Sequence, residues 1–507
     1  MRIQHQIILV AVVLASGCVG PPYVKPKVET PSAFKESSAA AYEKADPGAW
    51  QPAQPQDAAL KGKWWEAFGE PELNDLEEQL NINNQNIAQF FQNFMSARAQ
   101  VAVARSSYFP TLTADPSATR TRSSGALGKN VSVGTGTGSA TSNSGTTFNE
   151  FQLPFDVSWE PDLWGRVRNT VREARYAAQV SAADLENERL TEQASLAEFY
   201  FQLRGQDALQ DLFNRTIDAQ KKSVDLTKVL VETGIDSPED VAQAEVTLAN
   251  TEATAVGVAT NRAIYEHAIA TLIGKPASNF SMPVKVLATP VPQIPVDIPS
   301  KLLQRRPDVA AAERTMAEAN ALIGVETAAY FPTLSLSATG GWESTAIQNL
   351  LTAPARVWSL GASASETIFD GGLRGATLRQ YNAQFKADVA SYRQTVLTAF
   401  QQVEDYVATV RVVSQQIERQ RAAVAAAQRF LDIATTRYQT GIDPYLNVIT
   451  AQTTLLSDQQ TEVTLRVSEM TAAVQLIQAL GGGWDMEQLP SAGDVTAQKV
   501  ADRLQTQ

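Results

Sequence analysis

Histidine and cysteine are almost missing from this chain: its 507 residues include two histidines, His5 and His267, and one cysteine, Cys18. One cysteine cannot form an internal disulfide, and no Cys/His metal cluster can be assembled. A Ser-His-Asp or Cys-His site would need His267, which sits on a partly exposed face of the helical run "NRAIYEHAIATLIG". We therefore expect no enzyme, no metal and no cofactor. Charge is also sparse, 19% of residues against roughly 25% in soluble proteins. The net charge of −12 comes without a Lys/Arg cluster, which excludes nucleic acid as a partner. Nucleotide motifs are lacking too. The tract "GTGTGSATSNSG" has no Gly-Lys-Ser/Thr ending and leads from no strand into a helix, so it reads as a hairpin tip.

The only compact apolar run lies at the start, "MRIQHQIILVAVVLASGC". Arg2, the apolar stretch Ile7 to Leu14 and the small residues Ala15-Ser16-Gly17 form a secretory signal over residues 1–17, too short to span a bilayer. Because it ends at the sole cysteine, it resembles a bacterial lipoprotein signal. That resemblance implies cleavage before Cys18, then a thioether-linked diacylglyceryl group and an amide-linked acyl chain such as palmitate. Several chains together make a stable anchor. Val19 in place of Asp implies export to the outer membrane. Residues 18–60 are rich in Pro, Ala and Lys, which disfavours helix. They read either as an extended strap, pinned by Trp50, Trp64 and Trp65, or as a flexible linker.

The body of the chain repeats itself. "SSYFPTL" (106–112) returns as "AAYFPTL" (328–334), and "TGID" recurs at Thr233–Asp236 and Thr440–Asp443. Each later copy precedes a helical run ending in glycine, at Gly274 and Gly481. Between the Tyr-Phe-Pro and TGID landmarks the pattern turns to period two: Phe151, Leu153, Phe155, Val157 and Trp159 alternate with polar residues and Pro154. Leu334, Leu336 and Ala338 do the same, as do Trp358, Leu360, Ala362 and Ala364, while the partner strand from Thr111 is polar. Each half thus holds a strand hairpin, four strands in all. The rest is helical. Val389, Val396, Val403, Val410, Ile417, Val424 and Leu431 recur every seventh position, and no proline occurs between Gly372 and Gly441. Nearly seventy helical residues make a rod of about 100 Å.

Strands of about ten residues can cross a bilayer only as a closed barrel, and four are too few to close. Two chains would supply eight strands and three would supply twelve. Tyr108, Phe109, Trp159, Trp164, Tyr330, Phe331, Trp342 and Trp358 lie near hairpin ends, as membrane-interface aromatics do. The alternative at this point is a small soluble sheet with core aromatics.

"RRPDVAAAERTMAEANALIGVETAAYFPTLSLSATGG" (305–341), "KWWEAFGEPELNDLEEQL" (61–80), "RYQTGIDPYLNVITAQTTLL" (437–456) and "ALGGGW" (479–484) closely resemble the TolC/OprM-like outer-membrane efflux lipoproteins. The resemblance implies a TolC-like fold, mainly α with a membrane β-barrel. It would be a homotrimer sharing a 12-stranded barrel and a 12-helix periplasmic α-barrel, with an internal two-fold repeat. The expected division is 61–280 for the first repeat, with a strand hairpin near 111–162 and a helical hairpin at 165–273. The second repeat covers 281–484, with 333–369 and 372–480 in the same roles, before a tail at 485–507. The implied function is the passive exit duct of a tripartite efflux system, with a periplasmic adaptor and an RND-type inner-membrane transporter as partners. A type I protein-secretion duct and a structural trimeric coiled-coil lipoprotein are the alternatives. By resemblance the two turns form the periplasmic gate and adaptor-contact tip: Gly234, Asp236, Glu239, Asp240, Gly441, Asp443, Leu446, Asn447 and Thr450. Leu446 is the candidate apolar constriction. Asn447 and Thr450 stand where family members often carry Asp. Asp236 reads as a helix cap, and for Asp240 and Asp443 capping and a carboxylate ring both stand.

Overall fold

The computed structural model describes residues 20–28, 30–31, 33–36, 62–122, 124, 147–234, 237–286, 290–292, 294 and 303–496; Cys18, Trp50 and Asp236 lie outside them. The long elements come in matched pairs. Helices α2 (Gln85–Ser106) and α5 (Pro307–Ala328) have 22 residues each, α3 (Arg166–Glu232) and α6 (Leu373–Gln439) have 67, and α4 (Pro238–Leu272) and α7 (Tyr445–Ala479) have 35. Helix α1 (Pro71–Asn83) precedes the first set. The internal repeat is therefore a repeat of architecture. Proline is absent inside α3 and α6, and occurs at the starts of α1, α4 and α5, where its missing N–H costs nothing. No described helix is long and apolar enough to cross a membrane.

The chain divides into two compact units. The first (1–24, 98–176, 317–387) holds the sheet. Strands β1 (Thr111–Ala114) and β2 (Ser117–Arg122) both pair with β3 (Thr147–Trp159), which pairs with β4 (Thr333–Ser344), which pairs with β5 (Arg356–Ser365), all antiparallel. Five strands appear where four are expected. The polar strand is split at Asp115-Pro116, while its register to β3 continues unbroken from Ala114↔Phe155 to Ser117↔Gln152. Proline on both sides of this gap, Pro116 and Pro154, removes the donors that would have closed the ladder. On its other side β3 is held close to β4: a Cβ on Gly341 would lie 2.2 Å from the Leu153 carbonyl oxygen.

Both hairpins hand over to helices by the same device. Asp162 accepts the N–H groups of Val167 and Arg168, and Asp370 accepts those of Gly372 and Arg374. Arg374 then binds Asp370 (2.8 Å) and Glu366 (3.2 Å) and lies over the Tyr330 ring.

The second unit (25–97, 177–316, 388–507) carries the apolar core, with Trp64, Trp65, Phe68, Leu73, Leu80, Leu196, Phe201 and Ile477 all buried. The sequence blocks at 305–308 and 479–484 meet there. Arg306 forks onto Asp308, and donates to Gln402 (2.8 Å) and to the carbonyl of Ala479 that ends α7 (3.1 Å). Gly481, at φ 95°, is so close that a Cβ would sit 2.0 Å from the Arg305 carbonyl oxygen. Both motifs are packing devices here. Described residues of the N-terminal stretch dock on this unit: Lys25 pairs with Glu313 at 2.7 Å, Phe34 is buried at 2% exposure beside Phe400, and Glu404 accepts the N–H groups of Lys35 and Glu36.

Candidate functional site

Two places hold most of the candidate site residues. The first is the sheet. Its register places Phe151, Leu153, Phe155, Val157 and Trp159 level with Leu336, Ala338, Gly340 and Trp342 of β4, and these with Trp358, Leu360 and Ala362 of β5. Leu112 and Ala114 join them from β1. The alternate residues are Thr111, Thr113, Ser117 and Thr119, then Gln152, Asp156 and Ser158, then Ser335, Ser337 and Thr339, then Ser359 and Ser363. One face is thus mainly apolar and the other hydroxyl-rich along β1, β3, β4 and β5, while towards the end of the sheet remote from β1 the first face turns polar with Arg120, Arg122, Asn149 and Ser344. Trp358 (78%) and Leu360 (76%) stand in the open on the apolar face. A soluble sheet would cover that face; this one leaves it bare.

At the helix end of the sheet, Trp159 donates to the Tyr108 carbonyl (3.1 Å), and Trp164 stacks on Phe331 and donates to the Pro332 carbonyl (2.7 Å). Phe109 (68%) and Tyr330 (40%) are exposed beside these junctions. Trp342 lies towards the opposite end, paired with Arg356, and Trp358 lies two residues along β5. The sequence reading missed Ile368 and Phe369, both 88% exposed in the turn from β5 to α6. They interrupt no periodic pattern, so nothing in the sequence marks them.

The second place is the pair of helix turns. Gly234 (φ 75°) and Gly441 (φ 71°) take the left-handed conformation that ends α3 and α6. Thr233 and Thr440 fold back onto carbonyls one turn earlier, and Ile442 N–H reaches the Arg437 carbonyl at 2.9 Å. Asp443 is clasped by Arg437 through two bonds, 2.6 and 3.0 Å, and this partner lowers its carboxyl below the usual range. Asp240 closes a capping box with Ser237, each binding the other's N–H. Both acids therefore work within their own turns, while Glu239 is exposed. Tyr438 and Tyr445 pack ring to ring at 5.1 Å under the second turn. Above them Leu446 (56%) and Ile442 (63%) are exposed. Thr450 donates back to the Leu446 carbonyl, and Asn447 is half-buried beside Asp443. Arg437 escaped the sequence reading, because its partner is six residues away and only the turn brings them together.

The family model for the outer membrane efflux protein matches residues 76–275 and 298–482. The chain belongs to that family. A probable efflux pump outer membrane protein, TtgC of Pseudomonas putida, is 32% identical over 448 residues, covering 86% of this chain and 88% of the relative. The pyoverdine export outer membrane protein OpmQ of Pseudomonas aeruginosa is 29% identical, covering 85% and 89%. Among solved structures, the outer-membrane channel OprN matches with a TM-score of 0.80 at 28% identity, covering 92% of this chain and 99% of that one. The CmeC channel of Campylobacter jejuni matches at 0.83 and 20% identity, covering 96% and 98%, which speaks to the fold. The fold is TolC-like, the place of the family member is the bacterial outer membrane, and the family is one of efflux channels, not enzymes.

Proposed function

We propose that three copies of this chain close a 12-stranded barrel and form the exit duct of a tripartite efflux system. The open, two-faced sheet carries this reading. Among the described residues its order, β1-β3-β4-β5 with β2 beside β3, leaves β5 and the β1/β2 strand at the edges, and four strand positions cannot close on themselves. Closure with other copies turns the apolar face to lipid and the hydroxyl face to a water-filled lumen. The cargo is small toxic organic compounds, in keeping with relatives named for toluene, solvent and antibiotic efflux. An RND-type transporter of the inner membrane supplies the energy, and a periplasmic adaptor docks at the two turns. Leu446 and Ile442, exposed in the single chain, form the apolar constriction. Cys18 carries the lipid anchor.

Planar-bilayer recording of the purified protein tests the duct; a protein that inserts without conducting overturns it. Deletion of the gene, followed by a solvent and antibiotic susceptibility panel, tests the cargo. Unchanged tolerance, with protein secretion lost, would assign the duct to protein export.

A further inference from the structure

The described strands contain six charged residues, and their register sorts them by sign. Glu150, Asp156 and Glu343 fall on the hydroxyl face, with Glu150 opposite Thr119, Asp156 opposite Thr339 and Glu343 opposite Gln152. Arg120, Arg122 and Arg356 fall on the apolar face, opposite Asn149, Thr147 and Trp342. Each arginine stands at the end of its own strand that is remote from the helices: Arg120 and Arg122 close β2, level with Asn149 and Thr147 of β3, and Arg356 opens β5, level through Trp342 with Leu153 midway along β3. All three are exposed.

A cation on a lipid-facing strand is costly at the bilayer midplane, and the cost fades near the headgroups. Position therefore explains why arginine is tolerated at this end. It does not explain the sign, since a zwitterionic interface would accept Glu or Asp equally well, and the apolar face of the described strands carries neither. An anionic surface at that level explains both. The planar guanidinium forks onto phosphate oxygens with two parallel hydrogen bonds. Trp342, directly across from Arg356, and Trp358 supply the amphipathic rings that settle at headgroup depth.

We infer that Arg120, Arg122 and Arg356 form a docking surface for phosphate-bearing glycolipid headgroups of the outer leaflet. The inference rests on the channel reading, which puts the apolar face against lipid and the strand ends remote from the helices outside. It adds the chemical identity of the lipid partner and the residues that hold it.

The test uses the full-length protein in a neutral detergent, titrated with lipid A while thermal unfolding and lipid retention are followed. Wild-type protein is expected to bind lipid A and to melt higher in its presence. The triple variant R120Q/R122Q/R356Q should bind at least about tenfold more weakly. Dephosphorylated lipid A should give no shift with either protein. Equal binding by wild type and variant overturns the inference, and so does equal binding of the dephosphorylated lipid. Inorganic phosphate that protects as well as lipid A does also overturns it, in favour of a free-anion site. If the triple variant does not fold, R120Q and R356Q separately carry the test, each with a smaller loss. Bilayer conductance is recorded in parallel. Conduction by both proteins with unchanged lipid binding sinks this inference alone, whereas no conduction by the wild type sinks the channel reading.

Discussion

Asp443 shows how one side chain can change meaning with its surroundings. On sequence alone it could cap a helix or contribute to an open acidic ring, but the turn at Gly441 swings it onto Arg437. That partner favours the ionised carboxylate, so the turn gains stability above the ordinary carboxylate range and loses it as pH falls through the lowered value. Protease access at the second turn is therefore expected to increase as the pH drops below about 4. Asp443→Asn should loosen the turn at neutral pH and remove this pH dependence; an unchanged acid response would locate it elsewhere. Gly341 makes a comparable point about backbone. Its missing side chain reads as a weakness in a strand, yet it is what allows β4 to lie against β3 at Pro154.

Among the elements, α1 carries an uncompensated group. Glu77 is fully buried within the apolar core of its unit, and neither carboxylate oxygen has a hydrogen-bond partner among the described residues. Burial raises its carboxyl well above the usual range, so the folded state binds a proton that the unfolded chain releases. Stability then falls as pH rises from the ordinary carboxylate range towards that raised value. Glu77→Met, similar in length and helix propensity, should stabilise the protein by about 1–3 kcal/mol, and by more at pH 8 than at pH 5. A melting temperature lowered at both pH values would mean that the carboxyl does something this packing does not show. The same logic runs outward at the tip. Leu446 sits on the first turn of α7, exposed, with its α7 neighbours Tyr445 and Val448 buried. If it plugs the duct, Leu446→Ser should raise resting conductance and antibiotic entry without changing protein levels; unchanged conductance removes it from the gate.

At the scale of the whole molecule, the three-chain barrel predicts that detergent-extracted protein has three times the single-chain mass by light scattering. A two-chain mass would point to an eight-stranded barrel instead. The sequence by itself determined the repeat, the heptad face of α6 and the alternation of β3, because periodicity is a local property and each residue's neighbours along the chain carry it. Tyr392, Val396, Ala399, Val403 and Ile417 are buried along that helix as seven-residue spacing requires, whereas Val389, Val410, Val424 and Leu431 are half-buried and beyond Ile417 the buried stripe moves to Ala427, Ala434 and Tyr438. The family was legible for the same reason, since its motifs are contiguous. Tertiary structure alone decided what joins residues far apart in sequence. It split the first strand where Pro116 and Pro154 fall one register step apart, drew Arg437 onto Asp443, and wedged Gly481 beneath Arg305. It also set all the basic strand residues on one face and all the acidic ones on the other. A one-residue slip in register would exchange the faces, and register is settled by cross-strand pairing, which no single strand contains.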